Sequence, residues 1–176
     1  TGDSYISRTL PGGRHVLALS DGMGSGANAM QESRAALELM VESLRAGYTR
    51  AQAIAVVNAL MLMCTGQELY ATMDLCEIDL HTGETAFEKL GACASYVVRD
   101  GEVRTVGADT LPVGVLDHVD PKALRMTLEP GDVIVMLSDG VGGEDTLRCA
   151  AEWWREPAGE VAAAILETVD EEKDDD

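Results

Sequence analysis

The sequence predicts an α+β domain in which antiparallel sheets are covered by helices. Three observations carry this reading. One apolar strand is followed by two helices, a run of short strands then returns through tight turns, and the chain closes in two further helices. A parallel sheet would instead alternate strands with helices.

The elements follow in order. His15 to Ser20 (HVLALS) reads as a buried strand stopping at Asp21-Gly22. After the loop DGMGSG, Ala27 to Ala46 reads as a helix with Met30, Leu37, Met40, Val41 and Leu44 on its apolar stripe and Gly47 at its stop. A second helix opens at Thr49, where Thr49 and Gln52 have capping-box spacing. Ile54, Val57, Leu60 and Met61 supply its period. Thr72 to Leu80 and Thr85 to Leu90 are strand-like around His81-Thr82-Gly83-Glu84. Ser95 to Arg99 and Glu102 to Val106 flank Asp100-Gly101, a strong hairpin signal. Leu124 to Leu128 and Asp132 to Ser138 flank the turn Glu129-Pro130-Gly131. Helices near Glu144 to Arg155 and Pro157 to Val169 follow, then the acidic run DEEKDDD.

Composition narrows the function. With 13 Lys and Arg against 31 Asp and Glu, the net charge is −18, which argues against nucleic-acid or anionic-membrane partners and suits a protein that gathers divalent cations. No apolar run is long enough to cross a bilayer. Cys64, Cys76, Cys93 and Cys149 offer no CxxC pair and no zinc set, so a reduced, cytoplasmic setting is expected. His15, His81 and His118 read as surface residues.

The informative feature is an echo. Leu19-Ser20-Asp21-Gly22 recurs as Leu137-Ser138-Asp139-Gly140, each after an apolar strand. A carboxylate at a strand end leaves a rigid support in a fixed direction, and Gly behind it frees the backbone carbonyl. Hard divalent cations take oxygen ligands of this kind. Asp3 and the acids Asp174 to Asp176 could complete such a site, while a pair of ordinary Asp-Gly turns is the plain alternative. A rival reading is that Gly22-Met23-Gly24-Ser25-Gly26-Ala27 fits the dinucleotide fingerprint G-x-G-x-x-G/A. It requires a parallel sheet, and Asp21 would repel a pyrophosphate.

Taken together and in order, TGDSY, LSDGMGSGANA, ATMDLCEIDL, KLGACASYVVR, LPVGVL and GDVIVMLSDGV resemble the phosphatase domain of the stage II sporulation protein E group, within the protein phosphatase 2C family. The resemblance implies a central sandwich of two antiparallel β-sheets flanked by helices. It implies two ions of Mn2+ or Mg2+, with Asp21 bridging both, the Gly22 carbonyl on one, Asp139 on one, Asp3 at the edge and Asp175 near the end of the chain. Asp21 and Asp139 are then the catalytic pair. It further implies a protein serine/threonine phosphatase in which an activated water hydrolyses phosphoserine without a covalent phosphoenzyme. The partner implied is a phosphorylated anti-sigma-factor antagonist, whose dephosphorylation governs sigma-factor activation in sporulation. A homodimer stays open. The family pattern also implies one catalytic domain over residues 1–176, cut at both ends and lacking first and last strands, in a parent anchored to the membrane through a segment elsewhere. The alternative is a catalytically impaired phosphatase fold serving as an interaction domain. The two helices after the Asp21 loop could gate metal occupancy or simply cover the sheet.

Overall fold

A computed structural model describes residues 3–22, 27–63, 71–107, 110–116, 123–139, 141 and 143–174. Met23–Gly26 of the first loop, Cys64, His118, Gly140 and Asp175 therefore lie outside the described residues. The order is β1 (Asp3–Leu10), β2 (Arg14–Asp21), α1 (Ala27–Arg45), α2 (Arg50–Met63), β3 (Met73–Asp79), β4 (Glu84–Leu90), β5 (Ser95–Arg99), β6 (Glu102–Val106), β7 (Leu124–Thr127), β8 (Val133–Val135), α3 (Glu144–Trp153) and α4 (Ala158–Asp174). Every described strand pairing is antiparallel, in a five-stranded sheet β1-β2-β3-β4-β7 and a three-stranded sheet β6-β5-β8. This bears out the α+β expectation and removes the parallel sheet that a dinucleotide fingerprint needs.

The chain divides into two compact units, Thr1–Ala92 with Ala108–Thr127, and Cys93–Gly107 with Leu128–Asp176. In the first, α1 and α2 cover one face of the five-stranded sheet. Leu37, Met40, Val41 and Leu44 of α1 and Ile54, Val57 and Met61 of α2 bury against Val16, Ala18, Met73, Leu75 and Leu90. Met30 and Leu60, both expected on the apolar stripes, face outward instead. The helix signals are realised. Gly47 takes φ 95 at the end of α1, and the Tyr48 N–H reaches the Ser43 carbonyl at 3.1 Å. At α2 the Gln52 N–H donates to Thr49 Oγ1 at 3.3 Å and the Thr49 N–H to Gln52 Oε1 at 2.9 Å, a reciprocal capping box.

One strand was not anticipated. β1 buries only Ile6 and Leu10 among polar neighbours, so its alternation is weak, and it forms because β2 offers a partner along all eight residues. The last strand is shorter than expected. β8 holds three residues, two of them only partly buried, so Asp139 does not directly end a strand as its echo suggested. The turn before β8 is present, with Gly131 at φ 102 and the Asp132 N–H on the Glu129 carbonyl at 3.0 Å. It is not a hairpin turn, because β7 pairs with β4 and β8 with β5. The Asp100-Gly101 hairpin is as expected. Both residues have positive φ, 53 and 82, which matches the twist of β5 and β6.

In the second unit, Val98, Val135, Cys149, Ala150, Val161 and Ile165 form the core between the small sheet, α3 and α4. Arg99 on β5 binds Asp132 through two hydrogen bonds, 2.8 Å from Nε and 2.5 Å from Nη2, and Asp132 also accepts the Glu129 N–H at 2.8 Å. The Arg99 guanidinium holds the Asp132 carboxyl below its ordinary value of 3.8. A depressed folded pKa contributes stability above the ordinary value that is lost as pH falls through the folded one. Asp132→Asn should therefore lower stability by about 1–3 kcal/mol at neutral pH. In urea titrations the gap from the parent should close as pH falls below the ordinary carboxylate range. A gap independent of pH would refute the ionic origin.

Gly91 closes β4 with φ +65, and a Cβ there would stand 2.5 Å from Pro112 Cγ and 2.7 Å from the Pro112 nitrogen. Both conformation and space exclude a side chain. Gly91→Ala should cost more than about 2 kcal/mol, measured as a lowered urea midpoint, because ring and backbone must both shift.

Candidate metal centre

Asp21 owes its direction to strand alternation. Val16, Ala18 and Ser20 on β2 turn toward the helices and are buried, so Leu17, Leu19 and Asp21 fall on the opposite face. Thr72 holds the strand end. Its Oγ1 accepts the Asp21 N–H at 3.0 Å and its own N–H donates to the Asp21 carbonyl at 3.0 Å. Beyond this point Gly22 bridges Ala71 and Ala71 bridges Val113, so two isolated bridges extend the sheet past the last regular pair. Asn58 of α2 ties in the same segment. Its Oδ1 accepts the Gly114 N–H at 2.8 Å and its Nδ2 donates to the Leu116 carbonyl at 2.9 Å. The LPVGVL segment is thus a brace for the strand end that carries Gly22.

Asp3 stands directly opposite Asp21 in the β1–β2 register. Side chains so paired share a face, with Cβ atoms about 4.5–5.5 Å apart, and like charges there oppose pairing. A cation between them reverses that sign. The donors gathered at this end are two carboxylates and the Gly22 backbone, all oxygen, which fits Mn2+ or Mg2+ and does not fit softer ions. Among the described residues no group of three or more His, Cys, Asp or Glu side chains forms a metal cluster.

Asp139 belongs to the second unit, on an exposed turn four residues after β8. Leu137 and Val141 on either side of it pack on the second core, and the Val141 N–H reaches the Ser138 carbonyl at 3.2 Å. Apolar anchors flank an exposed carboxylate, which is how a loop can present one side chain without strain. Asp175 lies outside the described residues.

The other titratable groups have structural explanations. Cys76 is buried and burial pushes its thiol up, which disqualifies it as a nucleophile. His15 contacts Ser7 Oγ at 3.1 Å and Thr9 Oγ1 at 2.9 Å, all on β1 and β2. On the helix face a groove of about 430 Å³ is lined by Arg14, Arg50, Glu77 and Arg125. Glu77 binds Arg14 at 2.8 Å and Arg50 at 2.7 Å, and Glu88 binds Arg50 at 3.2 Å. Burial raises the Glu88 pKa, with Arg50 and Arg125 pulling the other way. This network seals one end of the first core. Thr72 and Asn58 were missed as residues that brace the site, although ATMDLCEIDL contains Thr72, because their roles arise from pairings between distant segments.

No helix among the described residues is long and apolar enough to cross a membrane. The family model for stage II sporulation protein E (SpoIIE) matches residues 11–176. Stage II sporulation protein E of Bacillus subtilis is 36% identical over 141 residues, covering 80% of this chain and 17% of its own length. The protein of that name from Priestia megaterium is 32% identical over 162 residues, covering 92% and 28%. The chain therefore spans well under a third of these relatives. A solved structure of the PP2C phosphatase domain and a fragment of the regulatory domain of SpoIIE from Bacillus subtilis superposes with a TM-score of 0.83 at 32% identity, over 96% of this chain and 53% of that one. With the family model matched from the first turn to the last residue and the same fold in a solved relative, the chain belongs to the stage II sporulation protein E family and has its protein phosphatase 2C-type fold.

Proposed function

We propose that this chain is a metal-dependent protein serine/threonine phosphatase domain. Its substrate in this reading is a phosphoserine on an anti-sigma-factor antagonist, and its output is sigma-factor activation in sporulation. The observation that carries the reading is the cross-strand pair Asp3 and Asp21 beside Gly22 at one sheet end. Family membership supports the reaction class, since the solved relative is described as a PP2C phosphatase domain.

In this reading Asp21, the Gly22 carbonyl, Asp3, Asp139 and Asp175 are the ligands of Mn2+ or Mg2+ that the family resemblance implies. Bound there, two divalent cations supply Lewis acidity for hydrolysis of a phosphomonoester. The chain itself does the positioning. Thr72 fixes the backbone of Asp21 from both sides, and the Ala71–Val113 bridge fixes Gly22. Charge gives an independent reason for cations, because a phosphate dianion must approach a chain of net charge −18.

The test is manganese-dependent phosphate release from a phosphoserine protein. Asp21→Asn and Asp139→Asn should each lower turnover at least about 100-fold, and chelation should abolish it until Mn2+ is restored. Turnover by the parent no higher than that of Asp21→Asn would favour a non-catalytic interaction domain instead.

A further inference from the structure

One charged pair in the first unit lies on the same sheet face as Asp21 and has no part in the reading above. Lys89 on β4 and Asp74 on β3 are directly paired in register, with Nζ 2.5 Å from Oδ2. Their side chains are 0% and 1% exposed. Asp74 is also opposite Leu19 of β2. Leu19, Asp74 and Lys89 thus make one row across three strands, and Asp21 with Thr72 makes the next row on the same face. Neighbouring rows are about 7 Å apart along a strand. The Asp74 carboxylate is rooted on the strand next to Asp21, and the Lys89 ammonium is held from one strand further away. Thr110 clasps the root of Lys89, its Oγ1 donating to the Lys89 carbonyl and accepting the Gly91 N–H at 3.1 Å.

A buried ion pair is a poor source of stability, because desolvation offsets its attraction and apolar residues of the same volume do as well or better. What the pair does supply is two charges held in fixed places beside a carboxylate proposed to hold a dication. We infer that Asp74 and Lys89 are a positioning pair that sets the divalent-cation affinity of Asp21. Asp74, the nearer root, adds negative potential at the centre, and Lys89 limits it. The inference rests on the proposed role of Asp21 as a metal ligand.

The sign of each change follows from that order. Removing the ammonium leaves more negative potential and tightens binding, while removing the carboxylate leaves a cation and weakens it. Exchanging the two roots brings the ammonium nearer to Asp21 and weakens binding with the pair intact. At separations of about 8 Å a unit charge acting on a dication changes affinity about tenfold at an effective dielectric of about 60, as for a cation at a solvated strand end.

The experiment is calorimetric titration of the full chain with Mn2+, alongside melting temperatures without metal. Lys89→Met should tighten Mn2+ about fivefold or more. Asp74→Asn should weaken it about tenfold, and Lys89→Arg should leave it unchanged. The exchange Asp74→Lys with Lys89→Asp should weaken it about tenfold, and it decides the matter if either neutralised variant fails to fold. A purely structural pair would shift both single variants the same way, or neither, and leave the exchanged protein like the parent; any of these results overturns the inference. Asp21→Asn separates the two levels. Unchanged Mn2+ affinity in Asp21→Asn removes the metal reading itself, whereas loss of binding there with silent pair variants removes only the tuning.

Discussion

The centre of the first unit depends on the register of β2 against β1 and β3. Side chains alternate along β2, so a slip of one residue would bury Asp21 among the helices and turn Val16 and Ala18 to the other face. The apolar contacts with α1 and α2 forbid that slip. Register then fixes three things at once: Asp21 faces away from the helices, Asp3 stands opposite it, and Thr72 meets its backbone. The chemistry proposed for the strand end is a consequence of where Val16 and Ala18 must go.

The polar groups of this unit divide by what stands opposite them in the sheet. Glu77 has two guanidinium partners, and Glu88 shares one of these. Desolvation lowers the Arg50 pKa, but hydrogen bonds and charge from Glu77 and then Glu88 outweigh it, so the guanidinium stays charged. Such clusters close a core end at little net gain or cost. Asp3 and Asp21 differ, because direct cross-strand pairing places two acids together where an apolar or oppositely charged pair would stabilise the ladder better. Two acids paired in register at a sheet end are consistent with a cation site.

Much of the fold was legible because its signals are local. Gly47, the Thr49–Gln52 box and Asp100-Gly101 each act within a few residues, so their geometry follows from residue type. β1 was not legible. Its Ser4 and Arg8 stand on the face of Ile6 and Leu10 and break the apolar alternation, and Arg8 faces α1 to bind Glu38 and Glu42, a partner choice no local pattern records. β8 erred the other way. Asp132 to Ser138 is apolar enough to read as a long strand, yet only three residues find a ladder partner in β5, and Leu137 serves the helical core instead. At the candidate centre, Asp21 could be read from a strand that stops at Asp-Gly. Thr72 and Asn58 could not, since each acts only after segments some fifty or more residues distant have met it.

The segments that carried the family resemblance therefore do two kinds of work. LSDG and TGDSY bring acids to a strand end, whereas LPVGVL and the Leu90-Gly91 step of KLGACASYVVR serve that end through backbone and close packing. Gly91 must lack a Cβ because Pro112 lies against it, and Val113 and Gly114 lend backbone groups to Ala71 and Asn58. Asn58 is a residue of α2, so the helix and the strand end share one hydrogen-bonded unit through residues 113–116. A movement of α2 that kept those bonds would carry Val113 with it, and through Ala71 would reach the backbone of Gly22. Coupling between helix and centre thus has a contiguous route here, although a route becomes a switch only when the helix has two stable positions.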